Sequence, residues 1–306
     1  GNAVIGNVSF DGGNDACRHS RAPFLLLRSA YAPWRGKMRC TRAQKGIFMK
    51  QTIQVMTREI LRILDGQEPS LYLFGSVTMD DFHLGWSDID FLCLTKQSIS
   101  PAQREELVPL RQTLLKTEPG NPYYRSFEGG MLSLDAFLTG KPEPAVYWGT
   151  SGQRVTEQYH FDCFSMVELL DFGILLAGEE VRPMMHRPSR EELRRGVEEH
   201  LRSIRQYGSS TGESLYSYGW LLDISRCLYT LETGGIIAKT AAGDWALERG
   251  LCPVPGTLRE ALAVRRCPEA FHTDAEVRRR AAQLGDEVQR YGNVLEERLR
   301  VGMPIE

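Results

Sequence analysis

The order of apolar and polar positions divides the chain into three stretches. Residues 1–48 show no sustained periodicity; they are rich in Gly, Ser and Asn and carry eight Lys or Arg side chains against Asp11 and Asp15. A segment of this kind buries too little apolar surface to offset the entropy of ordering, so a disordered extension is expected there, with folding beginning near Met49. From Lys50 the pattern changes. Ile53, Met56, Ile60 and Ile63 recur at helical spacing and Asp65-Gly66 ends the run, which predicts a helix over 50–64. Leu71-Tyr72-Leu73-Phe74 and Phe91-Leu92-Cys93-Leu94 are short continuous apolar runs that predict buried strands, the second opening at Asp88. Ser100-Pro101-Ala102-Gln103 carries an N-cap, a proline at the first position and a Gln that closes a capping box, which predicts a helix to about Lys116. A third strand is predicted over Met131–Leu138, with Asp135 in it.

From about residue 160 the pattern is helix after helix. Segments 165–172, 190–206, 215–231, 241–248 and 257–266 are predicted, and a last one from Thr273-Asp274-Ala275-Glu276 to about Leu299. Ser189-Arg190-Glu191-Glu192 is a second capping box. The expected fold class is α+β: a small mixed sheet with helices on one side over 49–158, then an all-helical C-terminal bundle over 159–306. A ligand cleft is expected between the two.

Composition narrows the class. At 306 residues, 42% hydrophobic and 25% charged, the chain can bury ordinary cores. A net charge of −2 gives no support for a general nucleic-acid binder, and no apolar run is long enough for a membrane helix. The seven cysteines are scattered without CxxC or Cys/His ligand spacing, which favours reduced thiols and a cytoplasmic setting.

The chemistry concentrates in residues 71–94, LYLFGSVTMDDFHLGWSDIDFLCL. The first strand delivers Gly75-Ser76, and Asp88-Ile89-Asp90 opens the second. Residues two apart in a strand share a face, so Asp88 and Asp90 present two carboxylates side by side. Left alone they repel. A hard divalent cation such as Mg²⁺, which takes one or two carboxylates together with phosphate oxygens, relieves that repulsion. Gly75 permits close backbone approach, and Ser76 can offer a hydroxyl and an amide to a phosphate. The pattern reads as a metal–nucleoside triphosphate site. Asp80, Asp81 and His83, between its halves, are expected to be solvated loop residues.

Gly75-Ser76 followed by Ser87-Asp88-Ile89-Asp90 resembles the motif of the nucleotidyltransferase superfamily, whose fold is shared with DNA polymerase β. Ser225-Arg226-Cys227-Leu228-Tyr229, Thr233-Gly234, Lys239 and Asp244-Trp245-Ala246-Leu247-Glu248-Arg249 resemble, in order and spacing, the helical C-terminal domain of the aminoglycoside adenylyltransferases that act on streptomycin and spectinomycin. The resemblance covers residues 50–300. It implies Mg²⁺-dependent transfer of AMP from ATP to a hydroxyl of a small cationic antibiotic, with release of pyrophosphate, by a chain that suffices as a monomer. It implies Asp88 and Asp90 as metal ligands, Gly75, Ser76 and Ser87 at the triphosphate, and Arg226 and Lys239 as cations from the helical domain. Asp135 is the expected base for the acceptor hydroxyl, standing where that family usually carries Glu; Glu128, in a looser loop, is the fallback. Glu213, Tyr216, Tyr218, Trp220 and Asp223 are of types that suit a cationic acceptor. A protein or other small-molecule acceptor, and a non-catalytic nucleotide-binding module, are the alternatives.

Overall fold

The computed structural model describes residues 42–149 and 152–301. The expected extension over 1–48 therefore lies outside the described residues up to position 41, and at 42 a helix is already under way. In chain order the regular elements are α1 (Arg42–Ile63), β1 (Ser70–Phe74), β2 (Ile89–Thr95), α2 (Pro101–Thr117), β3 (Phe127–Ser133), α3 (Leu134–Thr139), β4 (Ala145–Gly149), β5 (Gly152–Thr156), α4 (Cys163–Phe172) and β6 (Ile174–Ala177). Helices α5 (Arg190–Tyr207), α6 (Gly219–Thr233), α7 (Lys239–Glu248), α8 (Pro255–Arg266), α9 (Pro268–Phe271), α10 (Ala275–Ala281) and α11 (Gly285–Val301) follow.

Six strands form one mixed sheet in the order β5-β4-β3-β2-β1-β6. β2 and β3 run parallel, and the other neighbouring pairs run antiparallel. On one face, Leu71, Leu73, Phe91, Cys93, Met131 and Trp148 pack against Ile53, Met56 and Ile60 of α1 and Leu107 and Leu110 of α2. The opposite face, with Tyr72, Phe74, Leu92, Leu94 and Leu132, packs against Ala136 of α3 and Leu169 of α4. The sheet is thus covered by helices on both sides, where the sequence pattern placed them on one. α3 falls within the segment read as the end of the third strand, and α4 within the segment read as part of the C-terminal bundle, so the second covering layer was not expected.

Both capping boxes form. The Ser100 hydroxyl accepts from the Gln103 amide and Ser189 from Glu192, with the reciprocal bond present in each. The third strand differs from expectation. It begins four residues earlier, at Phe127, and ends at Ser133, whose side chain accepts from the Ala136 amide and so caps α3. Asp135 is therefore in the first turn of a helix and not in a strand. Glu128, expected in a looser loop, is in this strand, and so are Gly129 and Gly130, where packing leaves no room for a side chain: a Cβ at 129 would lie 2.0 Å from the Phe91 carbonyl oxygen and one at 130 would lie 2.3 Å from the Tyr159 ring. The expected final helix is broken: α10 ends at Ala281 and α11 starts at Gly285, where a Cβ would lie 2.3 Å from the Ser209 carbonyl oxygen.

Around the expected seam at 158/159 the chain runs through both halves. β6 closes the free edge of β1, and α4 belongs to two cores at once. Leu169 of α4 packs with the sheet, while Phe164 and Val167 pack with Leu193, Leu221, Ile224 and Leu228 in the helical core. Trp86, from the segment joining β1 to β2, is inserted into that same helical core. Among the described residues, no helix is long and apolar enough to cross a membrane.

Candidate active site

The register of three strands assembles the site. Phe74 at the end of β1 pairs with Asp90, and Asp90 pairs with Glu128 at the start of the parallel β3. Gly75 follows with φ +70°, and a Cβ there would lie 2.3 Å from Asp90 Oδ2. Only glycine satisfies both the left-handed backbone and the contact. Gly75→Ala is expected to cost about 1–3 kcal/mol of stability, read by thermal melting, and to lower turnover as the Asp90 carboxylate is displaced. The Ser76 hydroxyl donates to the Asp88 carbonyl at 3.1 Å, which ties the two halves of the motif together. Ser87 is buried; its hydroxyl accepts from the His83 amide at 3.0 Å.

The carboxylates carry the electrostatic cost expected of a pair without enough counter-charge. Burial pushes Asp88 up to about 6, with Glu128 adding to the shift and Lys239 and Arg111 opposing it. Asp90 is raised well above the usual carboxylate range, first by burial and then by Glu168, Asp88 and Glu128; Lys239 opposes. Among the described residues no group of three His, Cys, Asp or Glu side chains gathers around one point.

Glu128 stands beside this pair, and the Tyr147 hydroxyl donates to its Oε1 at 2.9 Å. Asp135 is elsewhere. It is exposed, two residues beyond Ser133, which pairs with Thr95 at the opposite end of β2. At about 3.3 Å per residue along a strand, Glu128 and Ser133 are roughly 17 Å apart. The structure brings the fallback carboxylate to the site and leaves the expected base outside it.

The helical domain faces the carboxylates with two cations that already have partners. Arg226 pairs with Glu168 of α4 at 2.7 Å and lies over the Phe164 ring. Lys239 pairs with Asp223 at 2.8 Å. Burial pushes the Asp223 carboxyl up, yet Lys239 and Arg226 hold it below its usual range. Ser225, beside Arg226, is buried and bonds Tyr291 of α11, a packing role. Asp162 caps α4 by accepting from the Ser165 amide, and Asp244 pairs with Arg266 at the surface. Tyr216 is 57% exposed, packs beside Trp86 with ring centroids 5.7 Å apart, and feels the charges of Asp88 and Glu128. A cavity of about 570 Å³ opens beside Asp88 and Glu128, lined by the exposed Lys116 and Arg125 and by the buried Arg111, whose guanidinium donates to the Phe127 and Gly149 carbonyls. Glu168 and Arg111 were not singled out by sequence pattern: each sits in an ordinary helix, and only the fold turns it towards the carboxylates.

Asp81 corrects another expectation. It is 5% exposed, and its Oδ2 receives the Arg265 guanidinium at 2.6 Å and the Thr240 amide at 3.3 Å. Burial pushes this carboxyl up, but His83, Arg265 and Thr240 outweigh it and hold the group far below the usual range.

Comparison with known proteins agrees with this layout. Residues 56–119 match the nucleotidyltransferase domain family, and residues 184–288 match the family described as aminoglycoside adenylyltransferase, C-terminal domain. A nucleotidyltransferase domain is thus followed by a region matched by the C-terminal domain of the aminoglycoside adenylyltransferases. No curated protein sequence matches it. A similar solved structure is that of spectinomycin adenyltransferase AAD(9) from Enterococcus faecialis with ATP and spectinomycin, at 14% identity and a TM-score of 0.54, covering 81% of this chain and 99% of that one. The likeness is one of fold. The protein is an enzyme, a nucleotidyltransferase that carries a nucleotide to a small-molecule acceptor.

Proposed function

We propose that the enzyme transfers AMP from ATP to a hydroxyl of an aminoglycoside or aminocyclitol of the streptomycin or spectinomycin type, releasing pyrophosphate. The observation that supports it most is the pairing of Asp90 with Glu128 across β2 and β3, beside Asp88 and facing cations of the helical domain. Asp88 and Asp90 would hold Mg²⁺; their shared excess of negative charge and the space that Gly75 leaves against Asp90 fit that ion. When bound, Mg²⁺ neutralises charge on the phosphate oxygens.

The remaining steps belong to the chain. Glu128, held by Tyr147, takes the proton of the acceptor hydroxyl as its oxygen attacks the α-phosphorus, and the bond to the pyrophosphate oxygen breaks. Gly75, Ser76 and Ser87 line the approach of the triphosphate. Lys239 and Arg226 exchange part of their pairing with Asp223 and Glu168 for phosphate oxygens and stabilise the leaving pyrophosphate. The exposed Tyr216 ring near two carboxylates offers a surface that attracts a cationic acceptor.

One observation favours a second reading. Lys116 and Arg125, exposed along the cavity wall, suit an acceptor that carries an anionic group instead. Pyrophosphate release with ATP and Mg²⁺ decides between them. Turnover with streptomycin or spectinomycin supports the first reading; turnover with phosphorylated or carboxylated hydroxy compounds and none with the antibiotics supports the second. Lys239→Ala is expected to raise the KM for ATP about tenfold, the loss of one charge-assisted contact; unchanged kinetics would remove Lys239 from the mechanism.

A further inference from the structure

Helix α7 carries Lys239 as its first residue, and its N-cap position, Ala238, offers no side chain to the orphan amides. The missing cap comes from the other half of the molecule. Asp81, in the segment between the two parts of the motif, accepts the Thr240 amide on Oδ2, the same oxygen that takes Arg265 Nη2 at 2.6 Å. Arg265 Nε in turn donates to Thr240 Oγ1 at 3.1 Å, so its guanidinium spans the Asp81 carboxylate and the start of α7. On its own side, the Asp81 carbonyl accepts from the Ser87 hydroxyl at 3.4 Å and from Arg265 Nη2 at 3.3 Å. Asp81 and Arg265 are both buried, and Trp86, one residue before Ser87, lies under the Arg265 guanidinium at 5.8 Å.

We propose that Asp81 is a positioning residue that caps the helix of Lys239 across the domain seam and, through the same residue, anchors the segment of Ser87. The separation between the Lys239 ammonium and the Asp88–Asp90 pair is thereby set by one buried carboxylate. An N-cap partner fixes the first turn of its helix, and here it does so from the opposite side to the Asp223 carboxylate of α6 that pairs with the Lys239 ammonium. A flexible lysine is useful against a phosphate only where its stem begins at the right place. The two motifs that share the triphosphate, distant in sequence, are made one rigid frame.

The proposal rests on the role given above to Lys239, and the test separates the two. In the full chain, Asp81→Asn is expected to raise the KM for ATP about tenfold while the KM for the acceptor stays within about twofold. In a Lys239→Ala background, the same substitution should change the KM for ATP less than about twofold, because it acts through Lys239. Ala238→Ser, which supplies a local cap, should recover most of the Asp81→Asn loss. Equal losses in both backgrounds, or wild-type kinetics for Asp81→Asn, would overturn the positioning role. A silent Lys239→Ala would overturn the role of the lysine instead. If Asp81→Asn does not fold, Arg265→Lys keeps the buried charge but not the fork; a KM shift for ATP of about threefold, absent in the Lys239→Ala background, is then the expected result, and no shift overturns the proposal.

Discussion

Asp90→Asn is expected to abolish transfer and at the same time to make the ligand-free protein harder to melt. Loss of a metal-ligating carboxylate should lower turnover by about a thousandfold or more, several kcal/mol of transition-state stabilisation. The stability change has the opposite sign. Asp90 is raised by burial and by Glu168, Asp88 and Glu128, so its ionised form is less welcome in the folded chain than in the unfolded one. A carboxyl raised by folding helps stability at low pH and loses that help as pH rises past its unfolded value. For its neighbour Asp88 that loss spreads over the interval from 3.8 to about 6, and Asp90 is shifted in the same direction by its burial and by Glu168, Asp88 and Glu128. At pH 7.5 the Asn variant should therefore melt above the wild type, read by thermal melting of the two proteins side by side. The gap should close as pH falls towards 4. Mg²⁺ with ATP should raise the melting point of the wild type and leave that of the variant nearly still. A variant that melts lower at pH 7.5 would contradict the electrostatic account even if it were inactive.

Glu128→Gln is expected to lower kcat by about a hundredfold to ten-thousandfold, the range for loss of a general base, with a small change in the KM for ATP. Asp135→Asn should stay within about twofold of the wild type. The contrast follows from register: Glu128 is opposite Asp90, whereas Asp135 is exposed beyond the far end of β3. Parallel kinetics on the two variants decide which carboxylate serves the acceptor hydroxyl. The reverse outcome, an inactive Asp135→Asn beside a competent Glu128→Gln, would require a site at the other end of the sheet.

The same two residues show what the sequence could convey. Local physics was legible: the strand pair that frames Gly75 and Asp90, and the capping boxes at Ser100 and Ser189, depend on neighbours within four residues. The third strand was not, because Gly129-Gly130 looks like a turn until Phe91 and Tyr159 are packed against it. Reading the strand too late carried Asp135 in and left Glu128 in a loop. The polar segment after Ser76 looked solvated for a similar reason. Its partner Arg265 is 184 residues away, and no local pattern announces a buried carboxylate whose counter-ion is so remote. β4, β5 and β6 were not read from the sequence; each is four or five residues long, and β5, GQRVT, has Val155 as its one apolar side chain.

Helix α4 gives the molecule a shared keystone. Its Phe164 and Val167 complete the hydrophobic interior of the C-terminal helices, and its Leu169 completes that of the sheet. A fragment starting at residue 184, where the C-terminal family match begins, would lack both Phe164 and Val167 and keep the hollow they fill. Such a piece would expose that apolar hollow to water and associate with itself, and the intact chain would melt in one cooperative transition instead of two. Dissecting this enzyme into its halves therefore requires a cut ahead of Cys163, at the expense of the sheet's sixth strand.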